Sequence, residues 1–224
     1  MSHPQASTLK QTFDRDGVVI IRNFVPLDQV NEICQRAEQA TKDITRTGIF
    51  SNVTKGLERL DDYFAKVLNN GPHVPILETL LGKKPEATTA SFFTKIENDQ
   101  EVHPHSDAMK GGVIWIALDE STKENGCLQF LKGSHLREEE FAHLKAHEPT
   151  DLSNHPDLFA AEMSPGDILF FNPMTVHWSG PNHAGTTRRG FNCFYTGTYW
   201  KHKGSKEEWK AAHSKKLKLT DKVS

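Results

Sequence analysis

Residues 113–118 read Val-Ile-Trp-Ile-Ala-Leu, an unbroken apolar run in which β-branched and aromatic side chains predominate. A strand with one wet face alternates apolar and polar residues. This run has no wet face, so it belongs inside a sandwich or beneath helices. Its surroundings have the same texture. Thr88–Ile96, Cys127–Leu131, Ile168–Phe171 and Gly190–Trp200 are strand-like, and Asn125-Gly126, Pro165-Gly166 and Gly180-Pro181-Asn182 punctuate them as turns.

Before Ala87 the pattern is helical. Leu9–Asp16 reads as a short helix stopped by Gly17, and Val18–Arg22 as a strand. Pro26-Leu27-Asp28 then opens an amphipathic helix with Val30, Ile33, Cys34 and Ala37 on one face. Residues 44–58 read as a loop, Arg59–Leu68 and Val74–Leu81 as helices, the latter closed by Gly82. Residues 135–164 form a polar insertion, solvated or lid-like, and the lysine-rich stretch 201–222 reads as a solvated helix. The expectation is a single domain over residues 1–224, mainly β with flanking helices, its β core at about 87–200.

Composition narrows the function. The 224 residues carry 25% charged side chains and a net charge of -2, so the basic excess of a nucleic-acid protein is missing. Three separated cysteines, Cys34, Cys127 and Cys193, make no CxxC pair and suit a reducing compartment. The N-terminus lacks the apolar core of a signal peptide, and no stretch approaches a membrane span. The expectation is a cytoplasmic protein with no membrane partner, either monomer or homo-oligomer.

Two His-x-Asp matches stand out: His105-Ser106-Asp107 within "HPHSD", and His155-Pro156-Asp157. With 12 histidines and 29 acidic residues, about one or two such matches arise by chance, so the motif alone decides nothing. In an extended segment His105 and Asp107 point to one side and can reach one ion. His177 follows the strand "DILFFNPMTV" and precedes a turn, where a third ligand belongs. Two imidazoles and a carboxylate with an open face suit Fe(II) and oxygen chemistry. Arg188 comes eleven residues later on a segment expected to run back beside the first, and Ser179 shares a face with His177. A guanidinium and a hydroxyl are apt for a distal carboxylate. The other reading of Arg188 is a surface arginine.

At this point the chain resembles the phytanoyl-CoA dioxygenase (PhyH-like) family of Fe(II)/2-oxoglutarate oxygenases. The likeness rests on "FDRDGVVIIRNFV", "HPHSD", "WIALDESTKENGCLQFLKGSH", "SPGDILFFNPMTVHWSGPN" and "RRGFNCFY", roughly residues 10–200. It implies a double-stranded β-helix, the cupin-like jelly roll, with Fe(II), 2-oxoglutarate and O2 as cofactor and cosubstrates. His105, Asp107 and His177 match the iron ligands, Arg188 the arginine on the C5 carboxylate, and Ser179 its helper. Lys132 departs from the family's proline at a turn. His155 and Asp157, by contrast, read as a helix N-terminus, and His103 as a neighbour of the site. Lys95 has two readings: a solvent-facing lysine at a strand end, or one approaching the cosubstrate. Trp115 reads as core.

The resemblance implies hydroxylation, or another oxidation, of an unactivated C–H bond. Asp107 occupies the coordination position that a halogenase would leave for halide. The expected substrate is a small polar metabolite, such as an amino-acid derivative, an organophosphonate or a natural-product intermediate. Two rivals remain open at this level: a cupin-type isomerase or lyase with no need of Arg188 and Ser179, and a silent binding module, which would be expected to lack a ligand.

Overall fold

The structure, a computed structural model, describes residues 3–44, 53–97, 101–107 and 109–196. Helix α1 (His3–Asp16) ends at Gly17, whose φ of 75° is the left-handed stop that glycine supplies cheaply. A side chain at Gly17 would also collide with Thr175 and His135. β1 (Val18–Ile21) follows, then α2 (Leu27–Thr41), which buries Val30, Ile33, Cys34 and Ala37 as the spacing predicts. α3 (Asp62–Asn70) is capped by Asp61, whose carboxylate accepts from the Tyr63 N–H at 2.8 Å. α4 (His73–Leu81) closes at Gly82, φ 70°.

The segment expected as a loop differs. It holds β2 (Val53–Lys55) and a 3-10 turn (Leu57–Arg59), while residues 45–52 lie outside the described part. Val-Thr-Lys is too short to announce itself as a strand; pairing with the neighbouring strand makes it one. The expected C-terminal helix also lies outside the described residues.

Eight further strands complete the β part: β3 (Glu86–Lys95), β4 (Val102–His105), β5 (Gly111–Ala117), β6 (Leu128–Leu131), β7 (Leu158–Ala160), β8 (Ile168–Phe171), β9 (His177–Ser179) and β10 (Arg188–Thr196). They form a six-stranded sheet, β1-β8-β5-β10-β3-β2, and a four-stranded sheet, β4-β9-β6-β7. Every pairing is antiparallel. This is the double-stranded β-helix.

β5 occupies the middle of the larger sheet and explains its two apolar faces. Ile114 and Ile116 join Phe92, Phe191 and Phe170 in a core shared with the helices. Val113, Trp115 and Ala117 face the other way, into the space between the sheets, with Leu169, Phe171 and Phe130. Burying each of these large side chains contributes about 1.5–3 kcal/mol. The polar insertion corrects its own reading. Phe141 and Leu144 bury against Leu131, Val176 and Trp178, so this segment is packed onto the outer face of the small sheet instead of floating as solvated charge.

Between helices and sheet lies one titratable pair. The Tyr195 hydroxyl donates to Leu68 O at 2.7 Å, so His73 Nε2, 2.6 Å away, must supply the proton between them. Burial pushes His73 down to about 4 from an ordinary 6.5. Below 6.5 the unfolded chain takes up a proton that the folded one refuses, so stability falls as pH drops from about 6.5 towards 4. Denaturant melts should show a loss of about 2 kcal/mol by pH 5 from this group, and His73→Gln should flatten that slope.

Candidate metal centre

β4 is an edge strand, which tolerates Pro104, and its pairing with β9 slips between Val102 and His105. Beyond that irregularity His105 stands directly opposite His177, with ring centroids 4.5 Å apart. Asp107 follows, its backbone N–H donating to Pro173 O at 2.8 Å. That bond fixes the turn and brings the carboxylate to both imidazoles: Oδ1 lies 3.9 Å from His105 Nε2, and Oδ2 3.8 Å from His177 Nε2. The three candidate ligand atoms lie within 4.8 Å of one another.

The backbone sets the tautomers. His105 Nδ1 is 2.8 Å from His103 O, and His177 Nδ1 is 2.8 Å from Thr175 O. A carbonyl only accepts, so each Nδ1 carries the hydrogen and each Nε2 presents a lone pair to the shared centre. Burial, and then the neighbouring His177, hold His105 down to about 4, with the Asp107 charge opposing. His105 is therefore neutral, the form a metal needs. Phe130 and Phe171 flank the His177 ring at 6.0 and 5.0 Å, closing that side against water. Two imidazoles and one carboxylate, converging from one side, fit Fe(II).

A second cluster lies across the sandwich. Arg188 opens β10 and Lys95 ends β3, in register with each other. Arg188 is 3% exposed and Lys95 0%, so the solvent-facing reading fails for both. Lys95 Nζ donates to Ser179 Oγ at 3.1 Å and to Gly180 O. The Arg188 guanidinium lies 5.5 Å from the Trp115 ring. Arg189, one residue on, faces the helices and pairs with Asp119 and Glu38 at 2.7 and 2.6 Å.

The route by which Arg188 reaches the site also needs correcting. It does not sit on a strand beside β9; β9 and β10 belong to different sheets, and β10 pairs with β3 and β5. Arg188 thus faces the small sheet from across the interior. Trp115, expected only as core, is the ring beneath Arg188. Its indole occupies the place of a side chain at Gly190, where an added Cβ would come within 2.1 Å of it. A glycine inside a strand was the available signal of such a close approach.

His155 and Asp157 form no such centre. They precede β7 and not a helix, because Leu158–Ala160 pairs with β6. His155 Nδ1 accepts from the Asp157 N–H at 3.1 Å, and the Asp157 carboxylate is bound by Arg137 at 2.7 Å. Among the described residues, His105, Asp107 and His177 are the group whose ligand atoms converge.

The family model for phytanoyl-CoA dioxygenase (PhyH) matches residues 13–190. A "Probable phytanoyl-CoA dioxygenase" of Caenorhabditis elegans is 22% identical, over 83% of this chain and 73% of the relative. Among solved structures, the epimerase SnoN in complex with Fe3+, alpha ketoglutarate and nogalamycin RO is 20% identical. It superposes with a TM-score of 0.70, covering 86% of this chain and 84% of that one. EctD from S. alaskensis with 2-oxoglutarate and 5-hydroxyectoine is also 20% identical, with a TM-score of 0.70 over 88% and 76% of the two chains. With the jelly roll and a His-Asp-His cluster in place, the chain belongs to the phytanoyl-CoA dioxygenase (PhyH) family, an enzyme of its Fe(II)- and 2-oxoglutarate-dependent class.

Proposed function

We propose that His105, Asp107 and His177 hold Fe(II), that Arg188, Lys95 and Ser179 hold the distal carboxylate of 2-oxoglutarate, and that the enzyme oxidises a C–H bond of a small polar metabolite. The observation that carries this is the pairing of two buried cations, Arg188 and Lys95, on neighbouring strands of the large sheet, with Lys95 reaching Ser179 on the strand that carries His177. Like charges directly across a ladder repel. An anion lodged between them turns that repulsion into attraction, and the guanidinium fork adds bidentate geometry. A redox-silent cupin has no use for this cluster.

Iron and 2-oxoglutarate, when bound, supply the oxidising chemistry, in which O2 is consumed and the oxoacid becomes succinate and CO2. The protein's own share is positional. The carbonyls of His103 and Thr175 hold the Nδ1 side of each ring and so aim both Nε2 atoms at the shared centre. Phe130, Phe171 and Trp115 keep water out, which strengthens every charge interaction inside.

A polar substrate is favoured by the inner face at the edge of the large sheet. Ser91 on β3 and Lys55 on β2 are register partners there, polar groups beside the apolar pair Val53 and Phe93. No helix of the described residues is long and apolar enough to cross a membrane.

Three results check this reading. Alanine at His105, Asp107 or His177 should abolish Fe(II) binding in anaerobic titrations while the chain still folds. His177→Ala should lower the melting temperature most, since its ring packs on Phe130 and Phe171. His155→Ala and Asp157→Ala should leave metal binding unchanged. Arg188→Ala should cost about 2–5 kcal/mol of 2-oxoglutarate affinity, a roughly thirty- to several-thousand-fold weakening, read from the visible charge-transfer band of the Fe(II) protein. Arg188→Lys should recover part of it, and Arg189→Ala should stay within a few-fold. Finally, small polar metabolites should stimulate succinate release, whereas tight competition by a long-chain acyl-CoA would reverse the substrate assignment.

A further inference from the structure

The loop between β8 and β9, residues 172–176, serves the metal centre twice. Thr175 O accepts from His177 Nδ1, and Pro173 O accepts the Asp107 N–H at 2.8 Å. Each imidazole takes its aim from its own strand, but where the His177 strand begins depends on what holds this loop. One carbonyl outside the small sheet does so. Gly17 O, at the exit of α1, accepts the Asn172 N–H at 2.8 Å and the Thr175 hydroxyl at 3.2 Å. The two donors stand at either end of the tetrapeptide 172–175, so a single acceptor closes it from both sides. Asn172 also folds it internally, accepting the Thr175 N–H on its carbonyl and the Met174 N–H on Oδ1.

The anchor is itself fixed. The Gly17 N–H closes α1 onto Phe13 O, the Gly133 N–H reaches Asp16 O at 2.9 Å, and Lys132 Nζ lies 3.6 Å from the Asp16 carboxylate. Ser134 opens the 3-10 turn that follows (Ser134–Leu136); its hydroxyl donates to Leu131 O and accepts the Val176 N–H at 2.8 Å. Thr175 and Val176 are therefore each held by a hydroxyl immediately ahead of His177. Thr175 is fully buried, where such a bond is electrostatically stronger than in water. Its hydroxyl is not needed to fill the space, since valine has the same shape. Nor does Gly17 O require it, because the Asn172 N–H already satisfies that carbonyl. What the hydroxyl adds is a constraint on the residue whose carbonyl holds His177.

We infer that Thr175 is a positioning residue for the metal centre: its hydroxyl, tied to Gly17, fixes the carbonyl that aims His177. The junction of α1 and β1 thereby becomes part of the scaffold of the ligands, although it contributes none of them. Glycine at 17 belongs to the same device, because an added Cβ there would lie 2.2 Å from Thr175 Oγ and push the loop away. The inference rests on the metal reading above and adds to it a residue that acts through His177.

The test compares Thr175→Val, Thr175→Ser and Ile33→Val in the full chain, the last a core truncation on the helical side of the large sheet. Calorimetry reads Co(II) affinity, the visible bands of bound Co(II) read ligand geometry, and melts of the metal-free chain read stability. Thr175→Val should melt no lower than Ile33→Val, yet bind Co(II) about tenfold more weakly and with shifted bands, as expected when a group that orients a ligand is lost. Thr175→Ser keeps the hydroxyl and should restore the bands and most of the affinity. Ile33→Val should lower the melt and leave affinity and spectrum unchanged. Folded Thr175→Val with the affinity and bands of wild type overturns the inference. An equal loss in Thr175→Ser overturns it too, by assigning the effect to packing of the methyl group, and so does an equal loss in Ile33→Val, by assigning it to stability at large. These three outcomes leave the metal reading standing. A wild-type chain that takes up no Co(II), or whose uptake survives His177→Ala, overturns that reading and this inference with it.

Discussion

The pairing of β4 with β9 is the contact on which the centre depends. It is short and irregular, yet it sets His105 opposite His177 and leaves both Nδ1 atoms over backbone carbonyls. Because those carbonyls belong to residues two positions upstream, the orientation of each ring is written into the strand geometry and needs no separate side-chain partner. Asp107 then needs only one backbone bond, to Pro173, to complete the group. A slip of one residue would turn one imidazole to the outer face and dismantle the site.

The larger sheet performs two tasks with its two faces. Its outer face binds the helices through Phe191, Ile114 and Phe170 and holds the platform rigid. Its inner face alternates in kind along β10: Arg188, then glycine, then asparagine, then phenylalanine. Charge sits deepest, where the surrounding rings exclude water and electrostatic attraction is strongest. The adjacent residue, Arg189, belongs to the other face and forms a half-exposed network with Asp119 and Glu38, of the kind that contributes modestly to stability. Two neighbouring arginines thus have unrelated work, separated by the pleat alone.

Much of this was legible in the chain. The helix ends at Gly17 and Gly82, the buried face of α2 and the two-faced apolar run of β5 follow from local conformational preference and periodicity, which act over a few residues. His105 and Asp107 share a side because alternate residues of an extended segment do. The pair was singled out from His155 and Asp157 by the presence of His177 and Arg188 in order downstream, together with the family resemblance.

Other features depended on distant partners, and no local pattern carried them. Lys95 looked like a strand-end lysine; only the approach of β9 from the second sheet buries it against Ser179 and Gly180. Arg188 was expected to come back beside β9, but the crossing from one sheet to the other places it across the interior. The 135–164 segment is polar in sequence and still folds inward, because Phe141 and Leu144 find Leu131 and Trp178 on the outer face of the small sheet. By itself the sequence determined that His105 and Asp107 share a side and that the faces of each strand alternate, because both are consequences of spacing within one extended segment. The meeting of that pair with His177 came from the pairing of β4 with β9. Which strands face one another, and so which charges share the water-poor interior with the His-Asp-His cluster, was decided by tertiary packing, since burial is a property of the space between two sheets and not of either segment alone.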